Sequence, residues 1–185
     1  MTTNIEIILS SIQFLGAFIA TFIAWLAWQR RNQPGSLPLA LLMLAVTVWG
    51  IGAGSKTFAL SQRQIFWQAL EILGAGLSAT LYLVFIVEYA RQEKLIRRKI
   101  IHFLWLVPVG SALLAYTNPQ HFLFWPPVGA PRLSLFLAFL FYYYALRLLA
   151  TTLLARAILR LPAGSHAQAW VFTLGAVMPW LSNIV

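Results

Sequence analysis

Six apolar runs, each of a length to cross a lipid bilayer, decide what this chain can fold into. They cover about 7–28, 39–54, 66–89, 100–116, 133–154 and 167–185. Inside a bilayer no water pairs with free backbone groups, so only helices and closed barrels cross it. None of the runs shows the polar–apolar alternation of a barrel strand. The fold class that follows is all-α: a polytopic transmembrane helix bundle, read as one domain over 1–185. Composition agrees. Only 9% of the residues are charged, against about 25% in a soluble domain, too few to cover a surface in water.

The first run has no basic start and no small-residue cleavage site, so it reads as a span rather than a signal peptide. No internal repeat is evident, which removes support for an inverted-repeat transporter. With no cysteine, disulfides and thiolate metal sites are excluded. The net charge of +9 raises the question of a nucleic-acid partner. The basic residues answer it, because they lie mostly in short loops between apolar runs, where they orient membrane proteins. Nine of them fall in the odd-numbered loops: Arg30, Arg31, Arg91, Lys94, Arg97, Arg98, Lys99, Arg156 and Arg160. Only Lys56, Arg63 and Arg132 fall in the even ones, and the amino-terminal tail holds none. This imbalance places the odd loops in the cytoplasm and the amino terminus outside. The sequence stops at SNIV, within an apolar run. A seventh helix returning to the cytoplasm is the expectation, and a complete six-helix protein the alternative.

All four acidic residues are glutamates: Glu6, Glu71, Glu88 and Glu93. An ionisable group inside a span is a functional candidate by default. Glu88 lies near the inner end of the third run, where a snorkelling interface residue with Arg91 one turn away is the plain explanation. Arg147, on the fifth run, lies about two turns from the same side. A Glu88–Arg147 pair is therefore geometrically open, as a structural clamp or a switch. Glu71 is deeper, with no basic residue within four positions on its own helix. Either a neighbouring helix satisfies it, or it meets a ligand or proton in an outward-facing cavity. Lys56, His121 and Arg132 are the candidate partners on that side, and Trp67 and Gln68 precede it.

GIGAG in the second run puts Gly50 and Gly54 at a spacing that lets helices approach closely in lipid, and Gly74 and Ser78 offer the same in the third. Pro108 and Pro179 should kink the fourth and sixth spans. Between spans four and five stands TNPQHFLFW. Pro119 disfavours helix at Asn118, which ends the fourth span there. Phe122, Phe124 and Trp125 then form an aromatic belt at headgroup level. Alternatively, stiffened by Pro126, Pro127 and Pro131, they cap a cavity for an apolar or amphipathic ligand.

Catalytic patterns are missing: the sequence has no HExxH, no GxSxG, no phosphate loop and no Asp. His102, His121 and His166 fall at different depths, a poor metal set. No catalytic residue, metal or cofactor is assigned. A membrane enzyme using Glu71 and His121 as acid and base lacks a nucleophile. A small transporter or channel is the rival reading, but between Glu71 and Glu88 it finds only Ser78, Thr80 and Tyr82 as polar groups.

The ordered set AVTVWGIGAG, IFWQALEILG, FIVEYARQEK, TNPQHFLFW and QAWVFTLGAVMPWLSNIV resembles the amino-terminal seven-helix sensor region of bacterial histidine kinases, over residues from about 40 to 185. The resemblance implies an input module in the bacterial inner membrane, amino terminus outside. It also implies a seventh helix leading to a cytoplasmic kinase or diguanylate cyclase domain in cis, and a homodimer in the full-length form. The sensor positions it implies are Trp49, Trp67, Glu71, Asn118, Pro119, His121, Trp125 and Asn183. Two departures stand out: the seventh helix is absent, and the loop from Pro126 to Leu133 is short, which argues against a large extracellular cap.

Overall fold

The computed structural model describes residues 3–89, 98–126 and 135–159. Asn183, Arg132, the basic residues Arg91, Lys94 and Arg97, and the run expected over 167–185 lie outside them. The described residues are helical, with no strand: α1 (Asn4–Gln29), α2 (Ser36–Ser55), α3 (Ser61–Tyr89), α4 (Arg98–Tyr116), the single turn α5 (Asn118–His121) and α6 (Leu135–Ile158). Among them α1, α2, α3 and α6 are long and apolar enough to cross a membrane, and Phe103–Tyr116 of α4 is a shorter apolar helix. The expectation of a helical membrane bundle is met.

Local chemistry sets the helix ends. Thr3 caps α1 with a reciprocal box: its hydroxyl accepts from the Glu6 amide, and the Glu6 carboxylate accepts from the Thr3 amide at 2.8 Å. That accounts for the first glutamate, and such a cap stabilises a helix by about 1 kcal/mol. Gly35 caps α2 at φ 80°, a left-handed conformation that a Cβ would strain.

The bundle is built around α3, which packs against α2, α4 and α6, while α1 packs on α2. Within the apolar window of α3, 61% of residues are buried, against 22% for α1, so α1 is peripheral among the described helices. Lipid is as apolar as leucine, and helix association there depends on close packing and interhelical hydrogen bonds. Both are present. The GIGAG run serves two neighbours at once. A Cβ on Gly52 would lie 2.5 Å from the Glu71 amide nitrogen, so α2 and α3 cross backbone to backbone; Gly74 meets the Trp49 backbone from the other side. Gly50 and Gly54 instead face Ala17 and Phe14 of α1. Hydroxyl pairs hold α1 as well: Thr21 meets Thr47 of α2 at 3.1 Å, and Ser10 donates to Thr57 in the turn after α2 at 2.7 Å.

Pro108 lies inside α4, buried against Gly76 of α3. Having no N–H, it leaves the carbonyl four residues back, that of Leu104, without its helical partner. The Tyr142 hydroxyl from α6 donates to that carbonyl at 2.7 Å, and Thr80 of α3 bonds the same hydroxyl at 2.7 Å. Three helices thus meet at the carbonyl that the proline frees.

Candidate ligand cavity

At the end of the bundle that carries Lys56, a cavity of about 340 Å³ opens between α2, α3 and α6. Such a volume lies at the small end of ligand pockets, which run about 300–1,000 Å³. Its rim is polar: Lys56 Nζ stands 2.7 Å from Glu71 Oε2, with Gln68 beside them. Its walls are aromatic, with Trp49 from α2, Phe136, Phe139, Tyr143 and Tyr144 from α6, and Trp125 from the turn after α5.

That turn is TNPQHFLFW, and its fold follows from two polar side chains. Asn118 is buried. Its Oδ1 accepts from the amides of Phe124 (3.0 Å) and Trp125 (2.9 Å), and its Nδ2 donates to the Trp125 carbonyl at 3.1 Å. His121 accepts from the Leu123 amide through Nδ1 and meets the Thr117 hydroxyl through Nε2, both at 3.0 Å. Phe122, at φ 53°, turns the chain sharply in a conformation unusual for a bulky residue. The result divides the aromatic run. Phe122 and Leu123 are exposed, whereas Phe124 is fully buried against Phe136 and Phe139, and Trp125 stacks edge-on to it while lining the cavity. The Leu123 carbonyl accepts from the Leu135 amide at the head of α6.

Below the cavity lies Arg147, only 5% exposed. Its guanidinium faces the Tyr143 ring at 4.5 Å and the Trp49 ring at 5.9 Å. It donates through Nη2 to the Ser78 hydroxyl at 3.1 Å, and its Nε has no hydrogen-bond partner among the described residues. Glu88 is elsewhere: its carboxylate accepts from the Gly35 amide at 2.8 Å, at the amino terminus of α2, where partial positive charge favours an anion. Arg147 pairs at the level of Ser78, ten residues from Glu88 on α3, or about 15 Å along a helix. The clamp between the two that the sequence left open is not formed; each has another partner.

The candidate positions therefore separate. Trp49, Glu71 and Trp125 share the cavity. Trp67 and Pro119 line a second groove of about 550 Å³ between the heads of α3 and α5. Asn118 and His121 shape the turn. Asn183 lies outside the described residues. Sequence reasoning did not single out Tyr143, and the available signal was its placement one helical turn before Arg147. Among the described residues no group of His, Cys, Asp or Glu is arranged to hold a metal.

A comparison with protein families matches residues 12–185 to the N-terminal 7TM region of histidine kinase. The chain belongs to this family. Neither the curated proteins nor the solved structures yielded a match. Membership of the histidine-kinase 7TM family makes the chain a multi-pass membrane protein and a sensory input region. In this 7TM region Ser78 and Thr80, two of the three polar groups between Glu71 and Glu88, are committed to bonds between helices.

Proposed function

We propose that the chain is the input module of a bacterial signal-transduction protein of the inner membrane. It senses a small apolar or amphipathic molecule that enters the cavity beneath Trp125 from outside. One observation carries this reading: an aromatic-walled space whose roof is pinned by Asn118 and whose rim carries a charged pair. Occupancy shifts the bundle between two packings, which requires the ligand to bind one better than the other. The shift passes through further membrane helix to a cytoplasmic kinase or cyclase domain in a homodimer. A coupling of about 1–3 kcal/mol between the sites gives a graded response.

The test is photolabelling of the chain in nanodiscs with an uncharged alkyl diazirine. Saturable labelling of peptides carrying Trp49, Trp125 and Phe136 is expected, abolished by Ala75→Phe, which fills the cavity. Labelling that follows lipid-facing α1 residues such as Phe18, at the same concentration dependence, would overturn the cavity. In the signalling protein, Ala75→Phe should hold autophosphorylation at one level whatever is added.

A further inference from the structure

Among the described residues, the charge beneath the cavity has no counter-charge. Arg147 is almost wholly buried; among the described residues it makes one hydrogen bond, to a neutral hydroxyl, and its Nε is unpartnered. A guanidinium presents five donors and does not lose its proton, so it cannot escape burial by becoming neutral. Burying such a charge without a paired anion is costly. The described glutamates are all engaged elsewhere: Glu6 caps α1, Glu71 holds Lys56, and Glu88 holds the head of α2. The rings of Tyr143 and Trp49 attract the cation but carry no net charge. One turn further along α3 and α6, the hydroxyls of Tyr82 and Thr151 are also buried without a hydrogen bond of good geometry. The groups gathered at this level include neutral hydroxyls but, among the described residues, no anion.

The two rings that face Arg147 are also walls of the cavity. Arg147 itself does not line the cavity, so an acid group lying there meets the guanidinium once the Trp49 or Tyr143 ring turns aside. We propose that Arg147 anchors the acid group of an anionic amphiphile, whose apolar body occupies the cavity under Trp125. Carboxylate and phosphate oxygens both suit a guanidinium, which grips a pair of them with two parallel hydrogen bonds. Lys56 at the rim adds a second cation along the entry path, held by Glu71 until an anion passes. This deepens the sensory reading and rests on it, because it names the charge of the molecule that the cavity receives. The same chemistry is carried by a diffusible carboxylate and by the headgroup of an anionic bilayer lipid.

The experiment compares three matched photoreactive probes, a medium-chain alkyl diazirine carrying a carboxylic acid, its methyl ester and its primary amide, on the chain in zwitterionic nanodiscs. The acid should label the Trp49 and Trp125 peptides half-maximally at a concentration lower by about tenfold or more than the ester or amide. Arg147→Gln should erase that difference, so that acid and ester label at the same concentration, and Arg147→Lys should restore part of it. Adding phosphatidylglycerol to the disc decides the source. Competition at low mole fraction assigns the site to a lipid headgroup, and its absence to a diffusible acid; either supports an anion site. Equal labelling by acid and ester in the unaltered chain would overturn the anchor, and needs no variant that might misfold to show it. Saturable labelling by all three probes would then leave the cavity standing. Failure of every probe to reach it would remove the cavity itself.

Discussion

Glu71 and Lys56 hold each other across the turn from α2 to α3, and both are partly open to solvent. Exposed ion pairs contribute little, about 0–1 kcal/mol. Glu71→Gln and Lys56→Met should therefore each cost about 1 kcal/mol or less, and the double variant no more than the larger single one, as expected when two groups act as a pair. Unfolding in detergent micelles measures it, and additive losses would mean that the two act separately. At this scale the sequence was legible in part. It marked Glu71 as needing a partner and named Lys56, His121 and Arg132. It could not choose, because the choice depends on the Asn118 turn, which commits His121 to Thr117 and Leu123. Nor could it place Arg147, whose neighbours on α2 and α3 are distant in sequence and come together only when three helices pack.

Between elements, glycine spacing and one proline decide the packing. The five apolar runs that fall on described residues reveal helices directly, since a bilayer admits little else. Which face meets which neighbour is harder to read. In GIGAG the alternate glycines lie about 200° apart around a helix with 3.6 residues per turn. Gly50 and Gly54 therefore serve α1 while Gly52 serves α3, and the motif spacing alone signals only the first. Gly52→Ala should destabilise the bundle by about 1–3 kcal/mol through overpacking. Gly110→Ala, where a Cβ meets nothing within 4 Å, should be neutral or stabilising by up to about 1 kcal/mol. Thermal unfolding of the two variants side by side checks this. The junction at Pro108 gives a second expectation. Tyr142→Phe strands the Leu104 carbonyl and should cost about 1–3 kcal/mol. In a Pro108→Ala background the cost should shrink, because the substituted alanine returns an N–H to that carbonyl. An unchanged cost would place the tyrosine's effect in its bond to Thr80.

For the whole molecule, the direction of threading follows from the basic loops and is a proposal that the chain is well suited to test, since it has no cysteine to remove. Phe122→Cys, on the exposed side of the aromatic turn, should react with a membrane-impermeant maleimide on intact cells. Asn32→Cys, at the opposite end of the bundle, should react only after permeabilisation. The reverse pattern would invert the module and end the view of the Trp125 cavity as an outward-facing input. The fold also distributes freedom unevenly. α2 and α3 are joined at Lys56–Glu71, at the Gly52–Gly74 crossing and at Gly35–Glu88, whereas α1 rests on α2 alone among the described elements. Backbone contact near the cavity and a polar contact at the other tip favour movement of α2 and α3 together over a slip between them. Helices that tilt together present at the far leaflet a lean begun near the cavity mouth.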